Sequence, residues 1–420
     1  MSEQMRDANL TPPEGFTLSS PAFAQCPFPA YERIFAEQPV WRDPDSGFLV
    51  FTRYEDVRAI ATNPAVWSNR TAQIFGRQST VADQVHAMYE KDGWFEMDTL
   101  VTNDAPEHKR YRALVDKAFT PKRVATIVPI IDRTVSRLLD ELLDKRDVEF
   151  MRTFAIPLTM TMLASQIGGS VEDMGRLRHW SDLLNEKINP MLAPERELAI
   201  TPQIIEFQQY VARAIDQLRA RPNDTILSDI VHAEIEGQHL TVREIIAIAT
   251  QLLGAGHDTT TAALGSCMRF LAEHPGSVEF LKGHPDKVAN FVEEMLRLEA
   301  PVQRLFRRAT CATAVAGVPV REGEVVVIQW GGANRDPSKF PSPAEMRVDR
   351  PEVGRHLAFG VGAHFCIGNQ LARAELRSAM LGITTRCKSI RLSAGDESFK
   401  YNSQYIFRAL ASLQVVAERA

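Results

Sequence analysis

Cys366 lies in the run Phe359-Gly360-Val361-Gly362-Ala363-His364-Phe365-Cys366-Ile367-Gly368-Asn369-Gln370-Leu371-Ala372-Arg373, a glycine-rich loop that passes straight into a helical pattern from Leu371 to Leu381. A cysteine at a helix start meets free backbone N–H groups and the positive end of the helix dipole, and both favour the thiolate. Gly360 and Gly362 let the loop turn tightly, and Gly368 lets a flat ring come close to the backbone. A thiolate held this way can serve iron as an axial ligand that pushes electron density toward the metal and favours O–O cleavage. Composition alone leaves open a plain glycine-rich turn around a buried thiol.

Three further groupings carry chemistry. Gly254-Ala255-Gly256-His257-Asp258-Thr259-Thr260 interrupts an apolar stretch with two glycines, an acid and hydroxyls, a costly composition for a buried helix. A local conflict of this kind points to function, although a threonine bonded back to its own helix would give a simple kink. His108 and Arg112 lie four apart after Asp104-Ala105-Pro106-Glu107, so they share one helical face and offer two donors pointing the same way. Glu294-Met295-Leu296-Arg297 puts a carboxylate and a guanidinium three apart, which in isolation reads as a surface pair.

The elements that must position these residues are mostly helical. Helical periodicity dominates from about Ala125 to Glu273, for instance along Ile127, Ile131, Val135, Leu138 and Leu142. The longest helix signal starts at a Thr241/Glu244 capping box and runs to His274-Pro275; its interior is apolar nearly all round, which predicts a helix crossing the middle of the molecule. Two short strands, Pro39 to Arg42 and Phe48 to Phe51, flank the turn Asp43-Pro44-Asp45-Ser46-Gly47, and Val315, Val318, Val320 and Val325 to Ile328 supply a second strand region before a Pro-rich meander from Asn334 to Pro351. The expected fold is mainly α with a minor β part. No repeat or Gly/Ser linker divides the chain, so residues 1–420 are expected to form a single domain.

Bulk properties narrow the function. With 420 residues, 45% of them hydrophobic, the chain can bury a large core. At 24% charged residues and a net charge of -5 it lacks the basic surface that phosphate recognition demands, so no nucleic-acid partner is expected. Met1 to Thr17 contains no apolar run, which argues against a signal peptide or membrane anchor. Cys26, Cys267, Cys311, Cys366 and Cys387 are odd in number and scattered, without zinc spacing, as suits a reducing cytoplasm.

The loop around Cys366 resembles the haem-binding signature of the cytochrome P450 family at Phe359, Gly360, Gly362, His364, Cys366, Gly368, Leu371, Ala372 and Arg373. The resemblance extends from the amino-terminal strand pair to Arg408-Ala409-Leu410 and looks like the soluble bacterial branch. It implies the family fold, a long central helix over haem b with small sheets at one side, and an iron ligated by Cys366. It implies that Thr259 hydrogen-bonds the oxygen being activated while Asp258 feeds in protons. His108, Arg112, Arg307 and His356 match the family's contacts to the haem propionates, and Glu294, Arg297 and Arg350 match a buried structural triad.

The same resemblance implies a monooxygenase fed one electron at a time by a ferredoxin, itself reduced by a ferredoxin reductase that draws on NAD(P)H. Lys109, Arg110, Lys117 and Arg373 would then offer an acidic ferredoxin a basic face, although a merely solvated basic face is an equal reading. By family position the substrate pocket would draw on Ser68 to Leu100, Leu183 to Leu192, Ala255, Leu305 and Ile406, with Gln303 and Arg304 as polar anchors. That lining favours a medium-sized, largely apolar substrate such as a terpenoid, steroid or aromatic, without excluding fatty acids. A peroxide-driven peroxygenase and a haem-based gas sensor or carrier are the rival readings. The Asp258-Thr259 pair argues against both.

Overall fold

The computed structural model describes residues 10–13, 15–70, 80–170, 172–187, 192–402 and 404–420. The chain forms two compact units, one from Met1–Asn69, Asp132–Pro157 and Thr259–Ala420, the other from Arg70–Ile131 and Leu158–Asp258.

In the first unit the Asp43 carboxylate closes the predicted turn, accepting from the backbone N–H of Leu18 at 2.8 Å and of Ser46 at 2.9 Å. Strand Val40–Arg42 therefore pairs antiparallel with Leu49–Phe51, Val40 opposite Phe51. Val325–Ile328 adds in parallel to Leu49–Phe51, Leu305–Ala309 pairs antiparallel with it, and Trp67–Ser68 completes a five-stranded sheet. Leu49, Val50, Phe51, Val326, Val327 and Ile328 are all fully buried. Strands covered on both faces read as continuous apolar runs, which is why these were visible in the sequence.

A second sheet was not. Leu410–Arg419 pairs with Cys387–Leu392, Phe399–Tyr401 and Asp147–Glu149, joining segments some 240 residues or more apart at its extremes, with Gln414, Glu418 and Arg419 among its apolar positions. Helix Asp258–Glu273 passes close to this sheet through Gly265, where a Cβ would lie 2.8 Å from the Met151 sulfur and 3.2 Å from Leu410 Cδ1. Two more helices of this unit, Val288–Leu298 and Asn369–Arg386, pack on each other and carry the groups described below.

The second unit is helical, with one short hairpin at Glu234–Ile235 and Gln238–His239. Helix Pro194–Ala220 packs against Met174–Lys187 and Val242–Gly256, with the Trp180 and Phe207 rings 5.5 Å apart. The predicted capping box holds: the Thr241 side chain accepts from Glu244 N, and Glu244 accepts from Thr241 N at 2.7 Å.

The single helix expected from Thr241 to His274 is two. Val242–Gly256 ends at His257, whose φ of -107° departs from helical geometry, and Asp258–Glu273 begins at once. Gly254 and Gly256 each weaken the helix by about 1 kcal/mol relative to alanine. Asp258 then finds its preferred place, an acid in the first turn of a new helix.

Candidate functional site

The Cys366 loop is shaped by its glycines. Gly360 and Gly362 take φ values of +67° and +79°, a region that disfavours any side chain. At Gly362 space matters too, because a Cβ would lie 3.1 Å from the Ala61 carbonyl on the end of helix Tyr54–Thr62. The Cys366 N–H donates to the Phe359 carbonyl at 2.9 Å, and the Asn369 side chain donates to the Cys366 carbonyl at 2.7 Å. Cys366 is half-buried, two residues before the Gly368 N-cap of helix Asn369–Arg386. Cys267 and Cys387 differ: both are buried, and burial pushes their thiols up, that of Cys387 to about 11. Only Cys366 among these three sits where a sulfur anion is favoured.

These residues fit a haem. Among the described residues no group of three or more His, Cys, Asp or Glu side chains could hold a metal ion. A lone sulfur donor therefore suits a metal that brings its remaining ligands with it, as iron in a macrocycle does. A Cβ at Gly368 would meet no protein atom within 4 Å, so packing within the chain does not require glycine there.

Behind the loop, the pair that looked like a surface bridge in isolation is completely buried. Arg297 forks onto Glu294, Nε to Oε2 at 2.7 Å and Nη2 to Oε1 at 2.8 Å, and Arg350 Nε adds a bond to Oε1 at 2.7 Å. The remaining guanidinium donors go to backbone carbonyls of the meander: Arg297 to Asn334, Pro343 and Glu345, and Arg350 to Pro341, Ser342 and Glu345. The structure thus brings Glu294, Arg297 and Arg350 together.

One residue earlier, Glu293 forms a cluster that the sequence reading missed. It accepts Arg373 Nε at 2.7 Å and Nη2 at 2.9 Å, and His356 Nε2 lies 3.1 Å from it. Burial pushes the Glu293 carboxyl up, but His356 and Arg373 outweigh it and hold the group down at about 2. The other ring nitrogen of His356 accepts from Ala358 N at 3.2 Å, so both nitrogens are engaged within the chain. The available signal was a second acid, Glu293, beside Glu294 on a strongly apolar helix. Arg307 is buried in strand Leu305–Ala309 and donates to the Phe306 carbonyl at 2.7 Å.

In the second unit, Asp258 is 34% exposed and lies 3.1 Å from His257 Nε2, and Asn185 donates to its second oxygen. Burial raises the Asp258 carboxyl, yet the partners His257, Arg178 and Asn185 keep it below the usual carboxylate range. Ser181 holds His257 from the other side, Oγ to Nδ1 at 3.2 Å. His108 is buried, and burial followed by the charge of Arg112 lowers its pKa; Arg112 itself pairs with Asp116 at 2.9 Å. Thr259, half-buried and next in the chain to Asp258, begins the last of the three segments that make up the first unit.

Several expected surface and pocket roles meet prior commitments. Gln303 bonds Tyr31 Oη at 2.7 Å and the Ala300 carbonyl, and Arg304 donates to the Leu18 carbonyl at 3.0 Å between the Phe23 and Tyr405 rings. Both are buried, with Gln303 using its side-chain oxygen and nitrogen and Arg304 its Nη1 inside the chain, which makes them poor substrate anchors. Arg110 is bound to Glu244 at 2.6 Å and Arg373 to Glu293, while Lys109 and Lys117 are exposed. Ala255 is exposed on its unit, Leu305 half-buried and Ile406 buried. Residues 71–79 and 188–191 of the expected pocket segments lie outside the described residues.

Among known proteins, the family profile for Cytochrome P450 matches residues 182–282 and 288–407. Cytochrome P450 107B1 of Saccharopolyspora erythraea is 33% identical over 403 residues, 94% of this chain and 96% of that protein. The structure of CYP109E1 from Bacillus megaterium in complex with testosterone is similar at a TM-score of 0.79 with 29% identity, over 93% of this chain and 99% of that one. P450BioI, in complex with an acyl carrier protein ligated to hexadec-9Z-enoic acid, is similar at a TM-score of 0.84 with 28% identity, over 96% and 100%. A loop built to present one sulfur, a buried acid–arginine triad behind it and likeness over nearly the whole length agree: this chain belongs to the cytochrome P450 family, whose members are haem-dependent monooxygenases.

Proposed function

We propose that the chain inserts one oxygen atom of O2 into a medium-sized, largely apolar organic substrate, a terpenoid, steroid or aromatic. We assign the iron ligand to Cys366, with Phe359, Gly360 and Gly368 shaping the loop around it. Bound there, haem b supplies the iron at which dioxygen is activated, under the electron push of the thiolate. His108, Arg112 and Arg307 are assigned to the propionates, since guanidinium forks and an imidazole N–H donor suit carboxylates. His356 enters the proposal beside them, through its pair with Glu293. Glu294, Arg297 and Arg350 hold the scaffold, and Ala255, Leu305 and Ile406 contribute to the substrate pocket. Residues 1–420 act as a single haem-thiolate domain.

Asp258 passes protons and Thr259 orients the oxygen that receives them. The observation that carries this reading is the pinned Asp258 carboxylate, ionised by its neighbours at a helix break directly before a hydroxyl. A gas carrier or a peroxygenase has no need of that arrangement. Electrons come from a ferredoxin and its NAD(P)H-dependent reductase, and the protein acts in the cytoplasm; among the described residues no helix is long and apolar enough to cross a membrane. The steroid in the CYP109E1 structure supports the substrate class, and the acyl carrier protein with P450BioI marks a carrier-bound acyl chain as the competing one.

The test is a panel of steroids, terpenoids, aromatics and fatty acids scored by the spectral shift as iron loses its water, followed by product analysis with a surrogate ferredoxin and reductase. Shifts and products from the apolar ring compounds are expected. Activity on fatty acyl chains alone would overturn the substrate class, and turnover with peroxide but not with O2 and reductant would overturn the reaction.

A further inference from the structure

Both flanks of Cys366 lead to one guanidinium. On the amino side, Phe359 accepts the Cys366 N–H at 2.9 Å, and the Arg373 guanidinium lies 4.3 Å over the Phe359 ring. On the carboxyl side, Asn369 donates to the Cys366 carbonyl at 2.7 Å, and Arg373 Nη1 donates to Asn369 Oδ1 at 2.8 Å. Arg373 in turn is fixed by the two-pronged bond to Glu293. Glu293 also meets His356, whose Nδ1 accepts from Ala358 N, so the entrance to the loop is tied to the same carboxylate.

Surface solvation does not explain this arrangement. Glu293 is 8% exposed, and one carboxylate faces three side chains able to carry positive charge: Arg373, His356 and, at 3.5 Å, Arg377. Of these Arg377 is 47% exposed and Arg373 only 14%. The buried fork therefore belongs to Arg373. A guanidinium held by two parallel bonds has little freedom to turn, and so the groups it positions are fixed as well.

We propose that Glu293 is a positioning residue for the iron ligand: through Arg373 and Asn369 it fixes the backbone on both sides of Cys366 and thereby sets how the sulfur meets the iron. This rests on the haem-thiolate reading above. Because both branches start from Glu293, removing Asn369 should release one flank only, with an effect no larger than that of removing Glu293, and removing both should add little.

The experiment uses the haem-loaded protein and the variants Glu293→Gln, Asn369→Ala and the double variant, compared at equal haem content. Two quantities are read: the share of the reduced, carbon monoxide-bound protein that absorbs at the thiolate band rather than the blue-shifted band of a lost or protonated thiolate, and the iron–sulfur stretching frequency. Each single variant is expected to raise the blue-shifted share several-fold and move the stretch, with the double variant no worse than the stronger single one. Should Glu293→Gln fail to load haem, Arg373→Lys, which keeps the charge and loses the fork, takes its place. Native band shares and stretch in variants that merely unfold at lower temperature would overturn the proposal, as would effects that add in full. A wild-type protein without the thiolate band would sink the haem-thiolate reading itself, and this proposal along with it.

Discussion

Arg297 and Glu294, one turn apart on a single helix, are both fully buried and joined by two parallel bonds of 2.7 and 2.8 Å. The pair shares Glu294 with Arg350, and together the two arginines hold five carbonyls of the Pro-rich meander.

Arg297→Ala is therefore expected to cost about 3–5 kcal/mol, because it leaves Glu294 buried beside a single arginine and strands carbonyls that lose their donor. Thermal unfolding and haem content check this. A stable variant with full haem would show that the meander does not depend on Arg297.

Cys366→Ala and Cys366→His are expected to abolish monooxygenase turnover, since neither offers an anionic sulfur. The thiolate band should vanish from the reduced carbon monoxide spectrum in both. Turnover near the native rate in haem-replete Cys366→Ala would refute the ligand assignment.

Thr259→Ala is expected to leave haem content and substrate binding intact while product falls and hydrogen peroxide is released at the expense of NAD(P)H. Asp258→Asn should instead slow the whole cycle, by about 100-fold or more, because the relay loses its titratable member. Product, peroxide and reductant measured together separate the two. Native coupling in Thr259→Ala would reduce the threonine to part of the helix break.

Acid should loosen the Glu293 cluster in a defined window. Its carboxyl is held at about 2 against an ordinary value of 4.5, so the cluster contributes stability above 4.5 that is lost as pH falls toward 2. Unfolding midpoints followed down that range should decline less in Glu293→Gln than in the wild type. Parallel declines would place the acid sensitivity elsewhere.

Much of this was legible because local patterns carried it: the capping box at Thr241 and Glu244, the apolar strands Leu49–Phe51 and Val325–Ile328, and the glycine-rich loop before helix Asn369–Arg386. The sheet around Leu410–Arg419 pairs segments distant in sequence, and no local periodicity announces a non-local partner. The break at His257 was signalled by Gly254, Gly256 and Asp258, but apolar composition on both sides made one continuous helix the expectation. Glu293 was passed over, and Gln303 and Arg304 were expected to face a substrate, because a polar residue in the sequence does not show which partner it will meet.

Gly265 ties three distant parts of the chain to one another's size. With the Met151 sulfur and Leu410 Cδ1 already crowding the spot where a side chain would begin, even alanine at 265 requires room to be made at 151 or 410. Substitutions at these positions should be accepted in combination rather than singly. Because the crowding atoms are the ends of flexible side chains, a small residue at 265 requires Met151 to rotate away, and bulkier ones become easier where position 151 is smaller.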